Sequence, residues 1–374
     1  ALTATYFAHI GFFNPYLPLW LKSLGLPIVV ISLLTSVQSF TRVFAPYAWG
    51  ALSDHLGERV LLLRFSAAVA LIASAGFWVE GGALAIGFVL LVVFTHTSSM
   101  MSLTEAAVAH LVAGDWGRYG RVRVWGSIGF MITVFAAGAW FDRHGIGSFP
   151  AWTVATLAGV LACTLWLPRV REAHHERAPA EPVGPALRQP VVRWFFGALF
   201  FHVMAHFSIY GFISLYLDAL GYGKSTIGAL WAVSVITEIA WFYTQGRFIG
   251  RFTMAGWLVL CGATAVLRLG VTAGLGEWLL ALFFAQALHA LTFATHHTAC
   301  IALVSHHFPG RMRGRGQALF TVIGYGFGGV VGVLTGGAVA DRWGFEVMFA
   351  GATGLALLGT LLAWRVLRLE REAP

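Results

Sequence analysis

The chain has little charge for its length. Only 11% of its 374 residues are Asp, Glu, Lys or Arg, against roughly 25% in an average soluble domain. Too few polar side chains are available to cover a globule of this size, so a water-soluble fold is excluded and the outer solvent must be lipid. Acid is scarcer than base: 16 Asp and Glu face 24 Lys and Arg, a formal net charge of +8. In a soluble chain that excess would suggest a nucleic-acid partner. Here the bases fall in short segments between apolar runs, so no nucleic acid is expected and the charge reads as membrane orientation. Cysteine is nearly absent. Cys163, Cys261 and Cys300 lie in apolar runs without CxxC spacing, which excludes a disulfide framework and predicts buried free thiols. No nucleophile elbow or metalloprotease helix is present, and His174-His175, His296-His297 and His306-His307 lack zinc spacing with other ligands. Enzyme chemistry, a cofactor and a metal are therefore not expected.

What is abundant is apolar: 58% of the chain, including 30 Phe and 15 Trp. A helix needs about 20 apolar residues to cross a bilayer. The runs predict twelve spans, at 1–21, 28–50, 59–78, 83–108, 122–141, 149–167, 193–217, 225–246, 254–273, 278–304, 315–339 and 346–366. They must be helical, because lipid offers no partner for backbone amides. The fold class expected is therefore an all-α membrane protein of two six-helix bundles. The first run is too long and too aromatic for a cleaved signal peptide, and the lack of an initial Met suggests a short missing leader. Residues 168–192 are polar, Pro-rich and aperiodic. They read as a cytoplasmic linker between an N-terminal bundle, 1–167, and a C-terminal bundle with a short tail, 193–374. With both termini cytoplasmic, 17 Lys and Arg fall on the inner side and only Lys22, Arg143, Lys224 and Arg342 outside, a strong orientation bias.

The halves repeat. Gly138-Ala-Trp-Phe-Asp142-Arg143-His-Gly145 ends span five, and Gly337-Ala-Val-Ala-Asp341-Arg342-Trp-Gly344 ends span eleven, 199 residues later. Leu21, Leu24 and Gly25 match Leu217, Leu220 and Gly221 at an offset of 196. Parallel six-helix repeats suit two rocking halves of a transporter.

Between spans two and three the sequence reads Gly50-Ala-Leu-Ser-Asp54-His-Leu-Gly57-Glu-Arg59. This resembles the major facilitator loop signature G-x-L-x-D-R-x-G-R-R/K, a conformational-switch loop, with His55 and Glu58 in place of bases. The glycines would let the turn approach a neighbouring helix, and Asp54 would suit a helix N-terminus. Asn14-Pro-Tyr-Leu-Pro-Leu-Trp20-Leu, Thr41-Arg42-Val-Phe-Ala-Pro46, Gly120-Arg-Val-Arg-Val-Trp125-Gly-Ser-Ile-Gly129-Phe and Arg313-Gly-Arg-Gly316-Gln-Ala-Leu resemble the phenylpropionate permease branch of that superfamily, related to lactose permease and the nucleoside–proton symporters. The resemblance covers essentially the whole chain. It implies a monomeric proton-coupled symporter of a small organic solute, an aromatic monocarboxylate first, in the bacterial inner membrane. A sugar or nucleoside is the alternative on the same fold; an efflux antiporter or a lipid flippase is a further one.

Ionisable side chains at lipid depth are costly and so are functional candidates. Glu105 and Glu238 are the only acids well inside the spans; Arg42, Arg268 and Arg64 are the bases, the last long enough to snorkel to the surface. Glu238, mid-span eight, is the first candidate for the coupling proton. Arg268 in span nine and His289 in span ten complete a set that resembles the coupling cluster of lactose permease, except that Thr292 stands where that permease has an acid. Arg42 occupies the position related to Glu238 by the 196 offset; uncompensated, it would need an anion such as a solute carboxylate. Glu105 resembles a sugar-binding acid of lactose permease, with Arg121 or Arg123 as the alternative partner. His202, His206 and Tyr210 share one face of span seven, a cavity-lining span in the family. Asn14, the only asparagine, suits a solute hydrogen bond, and Trp241 or Tyr243 could stack on solute, although lipid-facing aromatics are commoner. Two further patterns are set aside. Gly221-Tyr-Gly-Lys224-Ser-Thr lacks the first glycine of a phosphate loop, and Gly324-Tyr-Gly326-Phe-Gly-Gly329 lies inside a span, where it serves close packing.

Overall fold

A computed structural model describes residues 1–111, 116–168 and 182–372. No strand occurs among them, and ten helical runs are long and apolar enough to cross a bilayer. In chain order these are α2 (Ile28–Leu56), α3 (Arg59–Ser74, extended by a 3-10 turn to Trp78), α4 (Gly82–Leu111), α5 (Trp116–His144), α6 (Phe149–Leu165), α7 (Pro190–Ala219), α8 (Lys224–Thr244), α9 (Met254–Gly274), α10 (Leu279–His307) and a last run, Arg313–Glu372. That last run has 60 residues. At about 1.5 Å per residue it would be three times the thickness of a hydrocarbon core. It folds back at Gly344, whose φ of 87° only glycine adopts readily, into α11 (313–343) and α12 (345–372). The remaining helix, α1 (Leu2–Ser23), is diluted by His9, Asn14, Pro15 and Pro18 but is largely buried. It is shielded by protein, so it needs less apolar surface. Twelve legs result, six before residue 166 and six after residue 189, as the apolar runs predicted.

The chain clusters into two compact units, Ala1–Glu176 with Gly221–Ala232, and Arg177–Leu220 with Val233–Pro374. Of the expected linker, residues 169–181 lie outside the described residues; Gly184–Arg188 forms a short helix.

In the first unit α1 packs on α5 and α6, α2 on α4, and α3 on α4 and α6. The α1–α5 approach is backbone-close: a Cβ on Gly11 would come within 2.6 Å of the Phe130 carbonyl oxygen. The core joins Leu2 and Tyr6 to Leu62, Leu63, Ala67, Met100, Leu103 and Val160. Arg64 donates to the Thr164, Leu165 and Leu167 carbonyls at 2.8–3.1 Å. It caps the C-terminus of α6, where carbonyls lack helical donors and a cation is favoured. The start of α8 belongs to this unit. Asp142 Oδ1 accepts from the Lys224 amide at 2.7 Å, and Oδ2 accepts from the Ser225 amide at 2.8 Å and from the Ser225 hydroxyl. Tyr16 Oη donates to the Val134 and Lys224 carbonyls.

In the second unit α7 lies against α11 and α12, and α9 against α10 and α12. Small residues set these distances: a Cβ on Gly332 would meet the Met204 carbonyl, and one on Gly262 would meet Thr360. Two helices carry π turns, α10 at Ala290–Thr295 and α11 at Thr321–Gly328.

Candidate functional site

The second unit brings Glu238, Arg268 and His289 together, as the sequence suggested. Arg268, from the middle of α9, is 1% exposed. Its Nη1 contacts His289 Nδ1 at 3.1 Å and donates to Thr292 Oγ1 at 2.9 Å, while Nη2 donates to Gln286 Oε1 at 2.8 Å. Ser234 Oγ, one turn before Glu238 on α8, donates to the same Gln286 oxygen at 2.7 Å. His289 Nε2 lies 3.5 Å from Glu238 Oε2, and the Glu238 side chain is 19% exposed. Among the described residues no carboxylate touches Arg268 directly; Glu238 reaches it through the imidazole.

The geometry fixes a tautomer. A guanidinium only donates, so His289 Nδ1 must accept, and the proton of the neutral ring lies on Nε2, facing Glu238. A second ring proton would sit on Nδ1 against an Arg N–H, so it cannot be added while that contact holds. The π turn that follows His289 widens α10 where Thr292 projects its hydroxyl to Arg268. π turns of this kind recur at functional sites.

His202, His206 and Tyr210 share a face of α7, as their spacing predicts. His206 lies 4.8 Å from Tyr210 and 5.5 Å from His289 between ring centroids. His202 donates from Nε2 to the Thr292 carbonyl at 2.9 Å and stacks on His296.

The other candidates lie elsewhere. Trp241, one turn beyond Glu238, stacks on Phe248 and meets Trp257 edge-on, outside the Arg268 set. Tyr243 is 73% exposed. In the first unit, Asn14 on α1 accepts from Gln38 Nε2 at 3.1 Å. Arg42 on α2 and Glu105 on α4 are half-buried. Neither is without a partner. Arg121 and Arg123, the bases considered for Glu105, have side chains outside the described residues. Gly50 and Asp54 of the signature are helical, because α2 continues to Leu56. Asp54 is thus in the last turn of α2. Gly57 alone makes the turn, with φ 63°, and Arg59 opens α3.

Gln286, Ser234 and Thr292 were not singled out as site residues. They carry no charge, so a reading that follows charge at lipid depth does not mark them. Only Thr292 was marked at all, as the position lacking the expected acid. Among the described residues no group of three or more His, Cys, Asp or Glu is arranged to hold a metal.

The sequence matches the MFS_1 like family over residues 4–350. It is similar to the probable 3-phenylpropionic acid transporter of Escherichia coli (strain K12), at 26% identity over 88% of this chain and 87% of that protein. It is also similar to the maltose permease of Geobacillus stearothermophilus, at 25% identity over 92% and 87%. Among solved structures, the nucleoside transporter NupG superposes with a TM-score of 0.82 at 16% identity, covering 98% of this chain and 97% of that one. These relatives are transporters and not enzymes. The chain belongs to the MFS_1 like family and is a multi-pass membrane transporter of the major facilitator type.

Proposed function

We propose that this transporter couples the entry of a small organic solute, an aromatic monocarboxylate first, to a proton, by alternating access in a bacterial inner membrane with both termini cytoplasmic. The observation that carries the reading is the Glu238–His289–Arg268 set. One acid and one base share a buried network and are separated by a single imidazole. With Glu238 ionised the set is balanced. A proton on Glu238 removes that balance and leaves Arg268 as an unmatched cation at depth, which is costly. A solute carboxylate restores it. Proton and anion therefore favour each other's binding, and binding linkage is reciprocal. Loss of the proton on the other side returns Glu238 to Arg268 and weakens the hold on the anion.

The name of the E. coli relative supports the choice of acid. Those of the maltose permease and of NupG keep an uncharged solute as the competing reading, and the same assay separates the two. Asn14, Arg42, Glu105, His206, Tyr210 and Trp241 are the solute-contact candidates, and Gly50, Asp54, Gly57 and Arg59 the switch loop; the working unit is a monomer.

Purified protein in liposomes holding a pH-sensitive dye is given an outside gradient of 3-phenylpropionate, maltose or uridine. Internal acidification with phenylpropionate, lost in Glu238→Gln while solute exchange persists, is the expected result. Uptake of any probe by the unmodified protein without proton movement would make it a uniporter, and proton movement with maltose or uridine alone would move the substrate class.

A further inference from the structure

Beside the Glu238–His289–Arg268 set the same unit buries three more histidines, of which only His206 has been given a role, as a solute-contact candidate. His202 and His206 lie on α7 and His296 on α10, each at most 6% exposed. Their rings continue from His289 as a series. Centroid separations are 5.5 Å for His289–His206, 6.2 Å for His206–His202 and 3.7 Å for His202–His296. From His289 to His296 the helix rises about 10 Å, toward the end of the unit where α7 begins and α10 finishes.

His202 and His206 each present a ring nitrogen able to take a proton. His202 Nε2 lies 2.9 Å from the Thr292 carbonyl oxygen. A carbonyl only accepts, so Nε2 carries hydrogen and Nδ1 is the nitrogen able to take another. His202 and His296 are face to face, 8° from parallel. Two imidazolium rings in that contact would repel strongly, so the stack holds one extra proton at a time. Facing rings also turn their lone pairs away from each other, which excludes a metal shared between them and means that a proton passes between them by way of water and not directly. His206 Nε2 is buried and has no hydrogen-bonding partner among the described residues. It lines a small cavity with His202, Tyr210, Thr292, His296 and Tyr325. The space open to water centres is about 10 Å³, close to what a single water requires. The other ionisable groups near the series are Arg268 from α9, Glu238 from α8 by way of His289, and His297 and Cys300 from α10.

We propose that His202, His206 and His296, with one water in their shared cavity, carry protons from the Glu238–His289 pair toward the membrane face at which α7 begins. The proposal rests on the coupling reading above. His289 enters the path when its Nδ1 leaves Arg268 and is free to take a proton; each proton gained on a bare ring nitrogen is matched by one released from another ring nitrogen or from the water. The N–H and O–H bonds made and broken therefore balance, and no redox partner takes part. Thr292 joins the two sets, its hydroxyl bound by Arg268 and its carbonyl by His202.

A pH jump on purified protein, followed through the infrared carboxyl band that Glu238→Gln abolishes, tests the path without any solute. His202→Gln keeps a donor for the Thr292 carbonyl, and His296→Phe keeps a stacked ring. Either variant is expected to reach the same band amplitude at least tenfold more slowly. A purely structural role would leave the rate of the folded protein unchanged, and rates within twofold of the unmodified protein in both variants would overturn the path. If one variant fails to fold, the other gives the same reading. If the unmodified protein shows no band sensitive to Glu238→Gln, the coupling reading itself fails and the path goes with it. A normal band with unslowed variants sinks the path alone.

Discussion

Arg268→Lys tests whether shape or charge holds the buried network together. Arginine reaches three acceptors, His289 Nδ1, Thr292 Oγ1 and Gln286 Oε1, at 2.8–3.1 Å from a single planar fork. Lysine keeps the charge as one point on a flexible stem and cannot span that arc. If it satisfies one acceptor, two charge-assisted hydrogen bonds are lost, at about 1.5–3 kcal/mol each. The expected cost is roughly 3–6 kcal/mol, at the upper end of single-substitution effects. For a unit of this size, about 2–4 °C of melting temperature accompanies each kcal/mol, so the fall should be about 6–24 °C. The chain supplies its own reporters. Cys261 and Cys300 are free and buried, and they lie on α9 and α10, the two helices that Arg268 joins. A thiol-reactive fluorogenic dye during a thermal ramp in detergent therefore reads the opening of this contact. A shift below about 2 °C would refute the view that the three hydrogen bonds hold α9 to α10.

Three further substitutions test the packing of the first unit. Asp142→Ala removes the carboxylate that accepts from the first amides of α8. A loss of about 1–2 kcal/mol is expected, as for a helix N-cap, with faster hydrogen exchange confined to the amides of Lys224 and Ser225; unchanged protection of those amides would show that the cap is idle. Gly11→Val forces a side chain into the Phe130 carbonyl and is expected to cost about 1–3 kcal/mol or more by overpacking. Gly159→Ala meets nothing within 4 Å and should leave the thermal midpoint in place. Equal midpoints for both variants would mean that α1 and α5 are not held at the observed distance.

The body of the protein was legible because lipid imposes a simple condition: a chain with so little charge must bury its backbone polarity in helices and cover them with apolar side chains. The Glu238, Arg268 and His289 set was legible for a related reason. At depth an ionisable group is expensive, so the few that occur stand out. What could not be read was the part of the network that carries no charge. Gln286 and Ser234 complete the network, yet glutamine and serine inside membrane helices raise no alarm. His296 was met as half of a His-His pair and measured against zinc spacing, when its neighbour in space is His202 from another helix. Asp142 was seen only as part of a repeated string, because its hydrogen bonds are made to residues more than 80 positions away. Nor does the apolar pattern mark where a helix stops within a polar signature. α2 runs on through Gly50 and Asp54, and the π turns of α10 and α11 leave no trace in composition.

The sparing use of charge around Arg268 has an electrical consequence. On the coupling reading, the set is neutral when empty. It is neutral again when it holds a proton and a monocarboxylate, so the carrier crosses its cycle without feeling the membrane voltage. An uncharged cargo with the same proton would leave one positive charge to move, worth about 2.3 kcal/mol per 100 mV. The current measured across a membrane, or its absence, thus reports the charge of the cargo before its identity is known.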